Sequence, residues 1–255
     1  MTPRYLLTLF LLFFGTTVQG DELDTGQENS PPPPWGSEIE LGYQSHSGNS
    51  DSESLNARIG ATYTKGQHRL SGEWKYLLSE SDGTEDKRQT SFQAQSDYKI
   101  ARDYYVYTNL KGLNTEYGAY FTDYTLSSGL GYQLTHTEKL VAEFELGPGY
   151  RHQEPNLDEI GDDDLIIPEM VDEMIFRGNA RLYWQALDNL KFSADITMVS
   201  GSSNTRIDSE LSMTSKITDK AAIKISQSQQ YLDRVPPGLN KTDTVFTVNL
   251  LYKFN

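Results

Sequence analysis

Apolar and polar residues alternate along most of this chain with a period of two. Trp35, Ile39, Leu41 and Tyr43 fall on one side of an extended segment, and Glu38, Glu40 and Gln44 on the other. After a polar run from Ser47 to Glu53, Leu55, Ala57, Ile59, Ala61 and Tyr63 alternate with Asn56, Arg58, Gly60 and Thr62. Such alternation marks a strand with one apolar and one polar face, and the polar run between the arms reads as a loop. A tight turn at Lys65-Gly66 closes the unit, and the chain repeats it.

The next apolar faces are Leu70, Trp74, Tyr76 and Leu78, then Phe92, Ala94, Tyr98 and Ile100, then Tyr104, Val106 and Leu110. They are followed by Tyr124, Leu126, Leu130, Tyr132 and Leu134, and by Leu140, Ala142, Phe144 and Leu146. Pro148 cannot donate to a ladder, so a bulge or an early strand end is expected there. Alternation resumes through Met174, Phe176, Ala180, Leu182 and Trp184, then Leu190 to Met198, Ile207 to Ile217, Ile223 to Tyr231, and Phe246 to Phe254. The pattern predicts about twelve strands of roughly ten residues, the length a tilted strand needs to cross a bilayer. Short connections at Lys65-Gly66, 101–103, 135–138, Asp188-Asn189 and 218–220 alternate with longer ones near 47–53, 80–87, 114–119, 153–172, 200–205 and 233–241. Short turns on one side and long loops on the other are the asymmetry of an outer-membrane barrel. The expectation is therefore an all-β, antiparallel transmembrane β-barrel over residues 35–255, with both ends in the periplasm.

The start of the chain fits that destination. Arg4, an apolar run from Leu6 to Phe14 and Val18-Gln19-Gly20 have the layout of a secretory signal peptide over residues 1–20, cleaved near Gly20. Residues 21–34 are acidic and end in four prolines, as in an extended periplasmic linker. Hydrophobic residues make up 36% of the chain, low for a globular domain with a dry core and natural for a barrel with a wet interior. There is no cysteine, which removes disulfides, thiolate metal sites and cysteine nucleophiles. The net charge of −14 argues against nucleic acid as a partner.

Outward aromatics cluster near strand ends. Tyr63, Tyr98, Tyr104, Tyr132, Trp184, Tyr252 and Phe254 lie near the short turns and Trp74 nearer the long loops, which predicts aromatic girdles at the two membrane surfaces. The opposite face carries the charges expected in the lumen: Glu38, Glu40, Arg58, Arg69, Glu73, Lys75, Lys111, Glu143, Glu145, Arg177, Arg181 and Asp195, with Asp97, Lys99, Lys191, Arg206, Asp208, Glu210, Lys216 and Lys224. Rings of such charges set ion preference in a water-filled pore. About twelve strands enclose a narrow bore, however, and long side chains can fill it, so a closed lumen stapled by ion pairs stays open as a reading.

Three further features bear on chemistry. The connection near residues 153–172 carries Asp162, Asp163 and Asp164 and no Lys or Arg; it could bind a divalent cation, although it lacks the spacing of an EF-hand loop, and otherwise reads as a solvated acidic loop. His46 and His152 could meet at the rim, but no metal-ligand spacing surrounds them. No Gly-x-Ser-x-Gly elbow is present, so a lipase-type rim enzyme is disfavoured, and neither an enzyme nor a cofactor is expected.

Several segments resemble the YdiY-like salt-induced outer-membrane proteins. They are Trp35-Gly36 with Leu41-Gly42-Tyr43, Ser47-Gly48-Asn49-Ser50, Ser54-Leu55-Asn56, Ser79-Glu80-Ser81-Asp82-Gly83, Ser96-Asp97-Tyr98-Lys99, Gly129-Leu130-Gly131-Tyr132, and Glu145 through Arg151. The resemblance implies a Gram-negative outer-membrane barrel inserted by the barrel assembly machinery, and it carries over no catalytic residues. Two functions follow as expectations: a narrow channel for ions or small solutes, linked to salt or envelope stress, or a structural barrel with a plugged lumen whose loops bind lipopolysaccharide or a partner.

Overall fold

In the computed structural model the described residues are 34–46, 52–116, 120–156, 170–235 and 240–254. The expected signal peptide, nearly all of the linker, and Asp162, Asp163 and Asp164 lie outside them. The described chain forms twelve strands: β1 (Trp35–His46), β2 (Ser52–Lys65), β3 (His68–Ser81), β4 (Thr84–Lys99), β5 (Tyr104–Thr115), β6 (Tyr120–His136), β7 (Leu140–Pro155), β8 (Val171–Leu187), β9 (Leu190–Ser200), β10 (Thr205–Lys216), β11 (Ala221–Leu232) and β12 (Thr242–Lys253). Each pairs antiparallel with its neighbours in sequence, and β12 returns to β1 to close the barrel. Closure leaves no lateral sheet edge, which is how a sheet survives among acyl chains that offer no hydrogen bonds.

The alternation read from the sequence becomes inside and outside. Leu41, Ile59, Trp74, Leu126, Leu130, Leu146 and Phe176 project outward and are exposed, while Glu40, Gln95, Asn109, Glu145 and Arg177 on the other parity are buried inside. An exposed apolar belt around a polar interior is the reverse of a water-soluble protein and matches a lipid solvent. The girdle residues Tyr63, Trp74, Tyr98, Tyr104, Tyr132, Trp184, Tyr252 and Phe254 lie on the outward parity. Most pair with a neighbouring ring near the short turns: Trp35 with Tyr63 at 4.6 Å, Tyr104 with Tyr132 at 5.0 Å, and Tyr252 with Phe254 at 5.2 Å between centroids.

Two local expectations change. The connection expected over residues 80–87 is a two-residue hairpin turn, because β3 and β4 run on to Ser81 and from Thr84. Asp82 and Gly83 both take positive φ, 50° and 73°, as a primed turn between twisted strands requires. Pro148 neither ends β7 nor shifts its register. It points outward and stays opposite Phe176 in the β7–β8 ladder. The β6–β7 ladder skips Ser128 and Gly129 opposite Gly147 and Pro148 and resumes in the same register, so the missing N–H breaks no bond there. At that gap the backbones approach closely: a Cβ on Gly129 would lie 2.1 Å from the Leu146 carbonyl oxygen, and one on Gly147 would lie 2.2 Å from that of Ser128.

A charge in the belt tests its solvent. Replacing the outward Leu130 with arginine is expected to destabilise the barrel by about 2–4 kcal/mol in lipid vesicles, measured by urea unfolding. An unchanged unfolding midpoint would show that Leu130 does not face hydrocarbon.

Candidate functional site in the barrel lumen

The inward parity brings most of the predicted charges into one enclosed space, where adjacent strands set the first contacts; Lys216 instead stays exposed, paired with Asp219 at the turn. Arg58 on β2 donates to Glu38 on β1 at 2.6 Å, to Glu73 on β3 at 2.6 Å, and also to Glu40. Arg181 on β8 reaches Asp195 on β9 at 3.0 Å and Glu143 on β7 at 3.5 Å.

Other pairs cross the bore. Lys75 on β3 donates to Glu210 on β10 at 2.7 Å, and Lys111 on β5 to Asp208 on β10 at 2.7 Å. Arg206 on β10 pairs with Asp123 on β6. Arg69 on β3 grips both oxygens of Glu143 on β7, at 2.9 and 3.0 Å, and holds Asp97 on β4 at 2.7 Å. Lys224 on β11 bridges Glu40 and Glu210, each at 3.1 Å. The pairs of Lys75, Lys111, Arg69 with Glu143, and Arg206 each span four or five strands of the twelve-strand ring, so ion pairs bar the lumen, while Lys224 joins strands close to its own.

The bars do not fill the lumen evenly. On the side formed by β5 to β9 the interior is dry. Glu145 accepts from Arg177 at 2.8 Å, Gln95 at 2.7 Å and the Tyr105 hydroxyl at 3.0 Å, and the Arg177 guanidinium lies 5.1 Å from the Tyr107 ring centre. Leu113, Val171, Ile175 and Val199 are also buried. Near the long-connection end, the segment between β9 and β10 enters the barrel. Asn204 donates to the Tyr120 hydroxyl at 3.0 Å and to Gln153 at 3.1 Å. Glu173 accepts from the Ser203 backbone at 2.9 Å and from the Ser202 and Ser203 hydroxyls at 2.6 Å each, and pairs with the fully buried Arg151.

The side formed by β1 to β3 and β9 to β11 is wetter. The Lys75 and Glu210 side chains keep 37% and 26% of their surface exposed, and Asp195 keeps 41%, against 3% and 1% for Arg177 and Glu145. Solvent contact on this side is local to Lys75, Glu210 and Asp195, since Glu40, Arg206 and Lys224 there are buried.

Sequence reading missed Asp123, Arg151 and Glu173. Arg151 has the parity of Glu145 and could have been read as inward from that alone. Val171, Ile175 and Val199 break the polar-inside rule, and nothing local signals it. Of the two histidines considered at the rim, His152 has its Nδ1 2.8 Å from an Asp172 oxygen, and the His46 side chain lies outside the described residues. Among the described residues, no three His, Cys, Asp or Glu side chains gather as a metal site.

The two halves should respond differently to truncation. Arg177→Ala removes the shorter of the two ion pairs of buried Glu145, leaving Arg181 at 4.0 Å, and is expected to cost about 3 kcal/mol. Lys75→Ala, on the wetter side, should cost about 1 kcal/mol or less. Urea titration of both variants in the same detergent checks this; equal losses would contradict the division.

The model of the protein family of unknown function DUF481 matches residues 39–254. A search of curated proteins finds no match. Among solved structures, the chain is similar to the COG4313 outer membrane channel from Pseudomonas putida F1, with a TM-score of 0.51 and 8% identity over 91% of this chain and 100% of that one. It is also similar to the NanC porin, with a TM-score of 0.48 and 9% identity over 85% and 97% of the two chains. A third is the KdgM porin in complex with disordered oligogalacturonate, with a TM-score of 0.44 and 11% identity over 86% and 99%. What the first of these structures shares with the present chain is the fold, and the extent of the family match makes the chain a member of the DUF481 family.

Proposed function

We propose that this barrel is a narrow channel of the Gram-negative outer membrane that passes ions or small solutes along the wetter side of its lumen. It works as a passive conduit and not as a catalyst. The observation that carries the reading is the residual solvent contact of the mid-barrel charges Lys75, Glu210 and Asp195, in a lumen whose other half is packed. A barrel built only as a scaffold gains nothing from charges left half-wet at its centre.

The bars Lys75–Glu210 and Lys111–Asp208 then act as the constriction. Fixed charges of both signs beside a low-dielectric wall select permeant ions by charge and size. In the sequence the connection near residues 153–172 is acidic without Lys or Arg, which raises the local cation concentration at that mouth and gives the channel a preference for cations.

Single-channel recording in planar bilayers tests this. The purified barrel is expected to give small, resolvable conductance steps, and the double variant Lys111→Ala/Asp208→Ala larger ones. A reversal potential favouring cations is expected under a salt gradient. Absence of any conductance above background would remove the channel and favour a second reading, a structural barrel with a closed lumen that contacts lipopolysaccharide through its loops. The cross-barrel ion pairs are the observation on that side.

A further inference from the structure

The connection between β9 and β10 belongs to the filling of the lumen. Residues 201–204, Gly-Ser-Ser-Asn, form a strap across the inner face of β6 to β8, with Ser203 and Asn204 buried and Ser202 exposed. The strap has no apolar side chain to bury, so hydrogen bonds hold it. Arg151 on β7 donates to the Ser203 hydroxyl at 2.8 Å, to the Asn204 side-chain oxygen at 3.0 Å and to the Asn204 carbonyl at 3.0 Å. Glu173 on β8 takes both strap hydroxyls and the Ser203 N–H, and the Asn204 amide extends to Tyr120 on β6 and Gln153 on β7. A Cβ on Gly201 would meet the Glu173 carboxylate, and glycine there lets the strap lie against it.

The cradle defines what it accepts. Arg151 is fully buried, Glu173 is 9% exposed, and the two pair with each other. Charges held that deeply need their remaining N–H groups and lone pairs met. The strap meets them with hydroxyls, an amide and carbonyl oxygens, and brings no charge of its own. The Ser203 hydroxyl donates to Glu173 and accepts from Arg151 at the same time. A sugar hydroxyl placed between a carboxylate and a guanidinium does the same. A charged solute would unbalance the Arg151–Glu173 pair, whereas an uncharged one leaves it intact. Exchanging strap bonds for solute bonds replaces like with like, at small net cost. On the strap's other side the exposed Arg234 donates to the Ser202 and Ser203 carbonyls at 3.3 and 2.7 Å, contacts that water readily replaces.

We propose that Arg151, Glu173, Gln153 and Tyr120 form a binding site for a neutral polyhydroxylated solute of the sugar class, occupied in the resting barrel by the chain's own strap. The solute displaces residues 201–204 and widens the mouth at the long-connection end. The proposal deepens the channel reading and rests on it: it names a solute class and the segment that this solute must move.

Sucrose serves as the probe, and hydrogen exchange at the Ser203 amide, followed by NMR in detergent micelles, is the first readout. That amide is expected to exchange at least about tenfold faster in sucrose, once its bond to Glu173 is lost, with the β7–β8 ladder unchanged. Trimethylamine N-oxide at equal osmolality should not accelerate it, because an excluded osmolyte without hydroxyls only favours compact states. The variant Ser202→Ala/Ser203→Ala removes both hydroxyls from Glu173 and should show the fast exchange, and larger conductance steps, without sucrose. In planar bilayers, wild-type conductance relative to that of the bathing solution should rise with sucrose to a plateau. Exchange at Ser203 that ignores sucrose, that quickens equally in both solutes, or that is the same in the double variant as in the wild type would overturn the site. Sucrose-dependent exchange without conductance removes the channel and keeps the sugar site, whereas conductance and exchange both indifferent to sucrose remove the site and leave the channel.

Discussion

Every backbone N–H and C=O in this barrel must find its partner within the wall, because hydrocarbon offers none. That single requirement accounts for most of what is seen. It selects a closed sheet, and closure with a side-chain period of two sends alternate residues to two different solvents. Leu130 and Leu146 face outward because their neighbours in sequence, Gly131 and Glu145, must face inward. The places where the requirement is relaxed are correspondingly informative. The β6–β7 ladder omits two positions where Gly129 and Gly147 bring the backbones together and an outward Pro148 needs no donor. The β1–β12 ladder is shorter still, with four pairs against eleven in the β11–β12 ladder.

A narrow bore lined by long charged side chains creates a second constraint. Charges inside a low-dielectric wall are costly unless paired, and pairing within one strand neighbourhood satisfies only some of them. Arg58 is satisfied locally by Glu38, Glu40 and Glu73. Lys75, Lys111, Arg69 and Arg206 instead reach across the barrel, and in doing so they narrow it. The inward apolar residues Leu113, Val171, Ile175 and Val199 complete a packed half, so solvent contact is confined to the remainder. Solvent contact and closure are therefore two consequences of the same side chains, and Lys75 with Glu210 stands at the boundary between them.

Much of the architecture was legible because the signal for a strand facing two solvents is local. Trp35 to Tyr43 or Tyr124 to Leu134 each announce a face without reference to any other segment, and the charges from Glu38 to Asp195 were placed inside by parity alone. Local rules failed where a partner strand decided the outcome. The polar run Glu80 to Lys87 looks like a loop, yet a two-residue turn at Asp82-Gly83 lets β3 and β4 extend each other. Pro148 reads as a strand breaker until the β6 ladder opposite it is known to be open. Val171 and Val199 sit on the polar parity and gave no warning of being buried.

By itself, then, the amino-acid order determined the number of strands, their direction, which side of each meets lipid and most of the charges that enter the lumen, since each of these depends only on residues a few positions apart. The tertiary structure decided which carboxylate meets which cation, which half of the bore is dry and where the wall is incompletely laced. Those outcomes depend on the stagger accumulated around the closed ring, which sets the heights at which residues more than a hundred positions apart, such as Lys75 and Glu210, face each other.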